Sequence, residues 1–174
     1  MDDVNVRAAA PSDIPAIARI YADAVIHGTA TFEIEPPDQD EMTRRQQALL
    51  AKNLPYLVAE HAGAVAGYAY ASAYHVRAAY RWSVEDSIYV APDFQRRGIG
   101  RLLLTRLIAE AEAAGFRQMI GVIGDSANTG SIALHAACGF RFLGTMQSVG
   151  FKHGRWVDVV LMQRPLGRGD LVPP

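Results

Sequence analysis

The sequence is poor in several features that would have settled its class at once. Of its 174 residues only Cys138 is a cysteine, so an intrachain disulfide framework and a cysteine-based zinc site are excluded. The histidines, His27, His61, His75, His135 and His153, show neither the H-x-x-x-H nor the H-E-x-x-H spacing that aims two imidazoles at one ion, and no metal is expected. No apolar run approaches the about 18 residues of a membrane-spanning helix. The opening MDDVNVRAAAPSD is acidic and lacks the apolar segment of a secretion signal. An excess of one charge is missing too: Lys+Arg is 17 against an Asp+Glu of 18, a formal charge of -1. A near-neutral balance argues against nucleic acid as the main ligand, which demands a basic face. The expectation is a cytoplasmic protein with neither a membrane nor a nucleic-acid partner.

Half of the residues are hydrophobic and 20% are charged, which is globular composition. The length fits one domain. We place it over residues 1–164, followed by a flexible C-terminal tail over 165–174. The tail contains Arg168-Gly169-Asp170, an adhesion-like tripeptide too short to carry a functional reading. There is no internal repeat and no low-complexity segment.

Apolar periodicity alternates between strand and helix. Val4 to Ala8 is a short strand. Ser12 can cap a helix with Pro15 in its first turn, an apolar face of Ile14, Ile17, Ile20, Tyr21, Ala24 and Val25, and a stop at Gly28. Asp38 with Glu41 resembles a capping box and opens a second helix towards Asn53. Residues 55–60 and 64–73 read as a hairpin about Gly63. A strand from Val84 to Ala91 ends at Pro92, and a third helix runs from Gly98 to Ala114 with Leu102, Leu103, Leu107, Ile108 and Ala111 inward. A buried strand over 118–123, a short helix over 128–137, and strands over 140–150 and 156–162 about the turn 152–155 complete the chain. This is an α/β (α+β) layer, with parallel crossovers around the third helix and hairpins at both ends.

The most informative stretch is the connection between the strand ending at Ala91 and the third helix, Gln95-Arg96-Arg97-Gly98-Ile99-Gly100-Arg101. Backbone N–H groups at a helix start are unpaired and point outward, and the helix dipole adds to their attraction for a phosphate. Glycine at 98 and 100 removes the Cβ that would hold a ligand away. Arg96, Arg97 and Arg101 add charge-assisted donors. The pattern is not the mononucleotide G-x-x-x-x-G-K-[ST], for no lysine follows. A dinucleotide G-x-G-x-x-G needs a small residue where Leu103 stands. The other reading of so short a motif is a plain basic turn.

At this point the sequence resembles the GCN5-related N-acetyltransferases. Their coenzyme A signature Q/R-x-x-G-x-G/A matches Gln95 to Gly100, after the strand Ile88-Tyr89-Val90. A second shared element is Asn128-Thr-Gly-Ser131, leading to Leu134-His135 and Gly139-Phe140. Within that superfamily, T-F-E at 31–33, V-E-D-S-I-Y-V at 84–90 and V-G-F-K-H-G-R-W-V-D at 149–158 look like the phosphinothricin and methionine sulfoximine acetyltransferase group. The resemblance covers residues 4–163.

The resemblance implies a mixed sheet of about six to seven strands flanked by about four helices, splayed between the fourth and fifth strands to take acetyl-CoA. The pantetheine arm would pair with Ile88, Tyr89 and Val90, and the pyrophosphate would sit on Arg96, Arg97, Gly98, Ile99, Gly100 and Arg101. Asn128 is carried over as a coenzyme A contact, with Ser131 beside it. The substrate end maps onto His75, Val76, Arg77, Glu85, Asp86 and Ser87, with Phe32 as a wall. The implied partners are a small-molecule amine and a second copy of the chain, as a homodimer.

Acetyl transfer to an amine needs a base for the ammonium proton, stabilisation of the thioester oxygen, and a proton for the departing thiolate, whose pKa lies near ~8.5. Glu85 is the candidate general base, directly or through one water; otherwise it is a solvated strand-end carboxylate. Asp86 follows it, so its side chain should face the other way and share less in the proton. The resemblance implies that the Val90 N–H polarises the carbonyl, as an oxyanion donor does. His135 stands where many relatives place a tyrosine acid, and its pKa range suits a proton donor; otherwise it is an inert packed histidine. Arg77 and Arg81 can clamp a carboxylate or phosphinate, and Tyr74, Tyr80, Phe32 and Trp82 can wall the pocket or simply pack. Cys138 reads as a small buried filler.

The expected function is N-acetylation of the free α-amine of a small amino-acid-like substrate, with acetyl-CoA as cosubstrate. The alternatives are a peptide or protein N-terminal acetyltransferase, and a non-catalytic acyl-CoA-binding regulator.

Overall fold

The architecture follows from a sheet that is antiparallel everywhere except at one junction. The computed structural model describes residues 4–173; residues 1–3 and 174, the ends of the expected domain and tail, lie outside the described residues. The elements run β1 (Val4–Ala8), α1 (Ile14–His27), α2 (Gln39–Leu50), β2 (Tyr56–His61), β3 (Ala64–Ala73), β4 (Ser83–Val90), α3 (Ile99–Ala113), β5 (Gln118–Gly124), α4 (Thr129–Ala137), β6 (Arg141–Lys152) and β7 (Arg155–Pro165). The seven strands are ordered β1-β2-β3-β4-β5-β7-β6. Among the described residues the one parallel pair is β4 with β5, joined by the α3 crossover, because parallel neighbours need a connection long enough to return over a sheet face.

Each face carries its own core. Leu57, Ala59, Ala69, Val84 and Met119 pack beneath α3, with Leu103, Leu104, Leu107 and Ala111 fully buried. Strand residues of the opposite parity, Tyr56, Val58 and Tyr68, pack with Ile17, Tyr21, Val25 and Met42 of α1 and α2. The period-2 alternation of strands thus hands successive residues to different layers.

The parallel pairing is short. It runs from Ser83↔Gln118 to Asp86↔Gly121 and stops. Beyond it β4 stays on β3 as far as Gly67↔Val90, while β5 stays on β7 as far as Gly124↔Val159. The two strands diverge, and Ser87 to Val90 present a bare backbone edge to the gap.

Several local expectations are corrected. Ser12 does not cap α1: a 3-10 turn over Pro11–Asp13 moves the helix start on. Asp13 becomes the residue before α1, and its side chain turns back, accepting from Ala10 N at 2.7 Å and from Arg7 rather than from an amide of the helix. At α2 Asp38 Oδ1 accepts from Glu41 N at 2.8 Å, but the reciprocal half of the box is replaced by ion pairs of Glu41 with Arg44 and Arg45. The α2 helix stops at Leu50, short of Asn53, whose φ of 55° takes the chain into the left-handed region. In α3 it is Leu104, not Leu102, that faces in, since Leu102 is half-exposed at the helix flank.

Beyond β7 the chain continues to pack. Leu166 is fully buried and its N–H donates to Arg117 O at 2.9 Å. The packed chain therefore reaches two residues past the expected boundary at 164. We predict that Leu166→Ala lowers unfolding stability by about 2–5 kcal/mol, the range for buried leucine truncation. Urea melts check this; a loss within error would mean that the residue does not belong to the core.

Candidate active site

The divergence of β4 from β5 creates two connected cavities. The larger, about 920 Å³, runs along the edge of β4 to the start of α3. The smaller, about 340 Å³, lies deeper between the separated strands. They share Ile88, Tyr89, Asn128 and Ser131 as walls, so an elongated molecule can lie in the outer groove with its end in the inner cavity.

The outer groove is built by backbone more than by side chains. Ala91 N donates to Ala66 O on the β3 side at 2.9 Å. Strand alternation then turns the N–H and C=O of Val90 the other way, into the opening. At the helix start Arg96 and Gly98 both take left-handed φ, 58° and 79°. The first helical bonds are made by Arg101 N and Leu102 N to Gly98 O, so the amides of Gly98, Ile99 and Gly100 lie ahead of them. That conformation makes successive N–H groups converge into an anion-binding concavity. A Cβ at Gly100 would come within 3.2 Å of Leu134, so this glycine lets α3 approach α4 at the groove floor. Gln95 Nε2 donates to Val90 O at 3.4 Å and ties the turn to the strand end. Arg96, Gly98, Ile99, Gly100 and Arg101 all line the groove. Arg97 does not; its guanidinium stacks over the Phe94 ring at 5.6 Å. Asn128 lines the groove and also caps α4, its Oδ1 accepting from Ser131 N at 3.2 Å.

The inner cavity collects Glu85, Asp86, Ser87, His135 and Phe32. Glu85 is half-buried and its carboxyl is pushed up to about 7, first by burial and then by the charge of Asp86. Parity puts Glu85 on the α1 side with Tyr89, and Asp86 on the α3–α4 side with Val84. The sequence expectation that the two side chains face apart is met, yet one cavity reaches both, because the sheet is parted there. Asp86 is buried and bonds His135 Nε2 at 3.0 Å, while His135 Nδ1 bonds the Ser131 carbonyl at 2.7 Å. Burial opposes the charged imidazole, but the hydrogen bond and charge of Asp86, with the Ser131 carbonyl, outweigh it and raise the His135 pKa above the ordinary value.

The segment 28–34 forms the cavity's outer wall and is strapped down. Buried Lys152 donates to Thr31 O at 2.8 Å, Thr29 Oγ1 donates to Asp125 at 3.0 Å, and Asp125 is paired with Arg155. Any Cβ at Gly150 would overlap the Phe32 ring, and one at Gly124 would overlap Thr29 O. These glycines are the seats of the strap.

The structure does not bring all the predicted substrate residues together. His75, Val76 and Arg77 sit on the β3–β4 connection outside both cavities, with Val76 95% exposed. His75 and Tyr74 pack on Tyr80, and Arg81 stacks on Trp82 at 5.3 Å. Of the aromatic residues Tyr74, Tyr80, Phe32 and Trp82, only Phe32 lines the inner cavity. Cys138 is buried. Tyr21, Thr31 and Tyr70 were missed: they line the inner cavity, and Tyr21 OH donates to Glu33 at 2.8 Å and shares a hydrogen bond with Thr31. Helical periodicity marks Tyr21 only as apolar; a tyrosine on a core face with acidic Glu33 nearby was the available hint. Among the described residues no group of three or more His, Cys, Asp or Glu is placed to hold a metal ion, and no helix is long and apolar enough to cross a membrane.

Comparison with known proteins matches residues 17–140 to the acetyltransferase (GNAT) family. The chain is 54% identical over 170 residues to a phosphinothricin N-acetyltransferase of Alcaligenes faecalis, covering 98% of this chain and 86% of that protein. It is 39% identical to an L-methionine sulfoximine/L-methionine sulfone acetyltransferase of Salmonella typhimurium, covering 94% and 95%. Its fold superposes with a TM-score of 0.95 on a crystal structure of a GNAT superfamily phosphinothricin acetyltransferase from Sinorhizobium meliloti in complex with acetyl-CoA, at 48% identity over 98% of this chain and 92% of that one. The chain belongs to the GNAT acetyltransferase family. The seven-stranded sheet parted between β4 and β5 is the fold that the resemblance implied.

The raised Glu85 carboxyl has a consequence for stability. Between the usual carboxylate pKa and about 7 the folded state holds a proton that the unfolded state has lost, so stability falls as pH rises through that window. Glu85→Gln removes this loss. Thermal melts are therefore expected to show the variant gaining on the wild type between pH 5 and pH 8 (about the limits of that window), with little difference at the acid end. A constant difference across the range would show that Glu85 titrates normally.

Proposed function

We propose that this protein transfers the acetyl group of acetyl-CoA to the α-amine of a small amino-acid-like substrate of the phosphinothricin or methionine sulfoximine kind. The observation that carries the reading is the joining of two features: a groove walled by bare β4 backbone and the left-handed turn at 96–98, and an inner cavity holding a carboxyl with a pKa near neutrality. The fit to acetyl-CoA rests on the turn, where bare amides flanked by Arg96 and Arg101 suit a pyrophosphate, and on the outward N–H and C=O of β4, which suit the amides of a pantetheine arm. When bound, acetyl-CoA supplies an activated acetyl thioester.

The chain's own groups cover the remaining demands. Glu85 takes the ammonium proton, directly or through a water; a pKa near 7 is suited to a base working at neutral pH. The amine can then bond to the acetyl carbon, losing its second proton to solvent as the carbon–sulfur bond breaks. The Val90 N–H, turned into the gap, polarises the thioester oxygen. His135 gives a proton to the thiolate and regains one from solvent. Phe32 and Ser87 contact the side chain of the amine, where individual contacts are worth about 1–3 kcal/mol of selectivity.

Two further assignments go with this reading. β6 is a sheet edge, and Phe142, Leu143, Met146, Val149 and Phe151 on it are exposed, as is Trp156 beside them. An edge strand that pairs with itself about a two-fold axis satisfies both copies at once, so we assign a homodimer through β6, to be read by sedimentation. The cytoplasm is the compartment in which we place the enzyme.

Gly98→Asp removes the residue that tolerates a φ of 79° and sets a negative charge in the turn. It should weaken acetyl-CoA binding by more than about tenfold, or ~1.4 kcal/mol, in calorimetry; wild-type affinity would detach the turn from the site. Glu85→Gln should cut kcat at neutral pH by about a hundredfold or more, and much less at alkaline pH, where free amine is plentiful. A pH–rate profile of unchanged shape excludes it as the base. Turnover of free amino acids against short peptides separates the small-substrate reading from peptide N-terminal acetylation.

A further inference from the structure

The hydrogen bonds around His135 fix how many protons it shares. Nδ1 is 2.7 Å from the Ser131 carbonyl oxygen, which can only accept, so Nδ1 carries a hydrogen. Nε2 is 3.0 Å from Asp86 Oδ2. A neutral imidazole with its hydrogen on Nδ1 has only a lone pair at Nε2, and a lone pair facing a carboxylate oxygen is repulsive. A second proton must therefore lie between Nε2 and Oδ2. Two features put it on the ring, against the opposing effect of burial: His135 occupies the last turn of α4, where the helix dipole favours a cation, and the Ser131 carbonyl that accepts from Nδ1 favours a charged ring.

The surroundings hold this arrangement rigidly. A Cβ on Gly121 would come within 2.9 Å of His135 Cδ2 and 3.2 Å of Nε2, so the pair fills the space that any side chain at 121 would need. The Phe140 ring closes the other side, edge-on at 5.0 Å. The titratable neighbours on β4 are Asp86 itself and Glu85, on the opposite face of that strand; β5 presents Gly121 to the ring and the apolar Val122 and Ile123 to the cavity, α4 presents the Ser131 hydroxyl and carbonyl, and the approach to β6 presents Phe140. Asp86 Oδ1 is buried and has no hydrogen-bond partner among the described residues, so none of them competes with His135 for this carboxylate.

We propose that Asp86 is a positioning residue that keeps His135 in its doubly protonated form at working pH, so that the cavity always holds one transferable proton on the α4 side. This rests on the assignment of His135 as proton donor to the thiolate. In the step, the Nε2 proton leaves its hydrogen bond to Asp86 and passes to sulfur as the carbon–sulfur bond breaks, the ring becomes neutral, and it is recharged from solvent. Glu85 meanwhile keeps the proton taken from the amine until that, too, is released. One residue of β4 thus serves the acid and its neighbour serves the base.

The pairing can be read without turnover. In the full-length protein labelled with 15N-histidine, long-range proton–nitrogen spectra report both ring nitrogens, and His135→Gln identifies the signal. In the wild type both nitrogens of His135 should be protonated at about pH 7.5, above the usual histidine pKa. In Asp86→Asn, Nε2 should be bare at that pH and the titration midpoint lower by about one unit or more. For that variant kcat should fall at least about tenfold, with its alkaline limb moved to lower pH and the KM for acetyl-CoA unchanged. An unprotonated Nε2 in the wild type at that pH overturns the proposal whether or not the variant folds, and so does a titration unmoved by Asp86→Asn. A lowered titration with unchanged kcat supports the pairing and overturns the donor role of His135 instead.

Discussion

The structure depends on a backbone constraint: β4 and β5 are parallel partners for four residue pairs and then separate. Buried N–H and C=O groups left unpaired cost about 1–3 kcal/mol each, so a strand edge laid bare inside a sheet persists only where something can pair with it. The edge at Ser87 to Val90 is part of a groove that ends at a phosphate-suited turn. A ligand with amide groups along its length and a pyrophosphate at one end answers both features together. The parting also gives one cavity access to both faces of β4, which no closed sheet allows.

Keeping the parted strands apart falls to small residues and to the strap. Gly121 leaves room for the Asp86–His135 pair, and Gly124 and Gly150 leave room for Thr29 and Phe32. Lys152 at the end of β6, Asp125 just after β5 and Arg155 at the start of β7 fix the strap. Lys152 is bent to this use at a cost, since burial lowers its pKa while the charge of Glu33 partly offsets that. The G-F-K-H-G-R segment, which looks like a hairpin turn in sequence, is therefore also the anchor of the cavity wall: His153, at its tip, meets Gly28 O at 3.1 Å.

Most of the fold was legible because its signals are local and periodic. The apolar spacing of α1 and α3 and the turn at Gly63 place their elements directly. Boundaries failed where side chains answered to partners distant in sequence: Asp13 is claimed by Arg7, and Glu41 by arginines rather than by its own helix start. The outer groove was legible through Gln95 to Gly100, since the chemistry there is mostly backbone and glycine marks backbone. The inner cavity was less so. Tyr21 and Tyr70 look like core residues in sequence, and His75 to Arg77 look like site residues but lie on an exposed connection. No pattern of spacing reveals which face of a parted sheet becomes a cavity wall.

The adjacency of Glu85 and Asp86 shows how the parting is exploited. In a closed sheet two consecutive carboxylates would face different cores and have little common purpose. Here burial, with the charge of Asp86 added to it, raises Glu85 to about 7 on one face, while Asp86 hydrogen-bonds His135 Nε2 on the other. The electrostatics reinforce each other: the negative charge that Asp86 needs to retain a proton on His135 is the same charge that makes Glu85 a better proton acceptor. In the mechanism proposed above, the alternation of a β-strand sets base and acid at opposite sides of the reacting atoms, and a single residue, Asp86, tunes both.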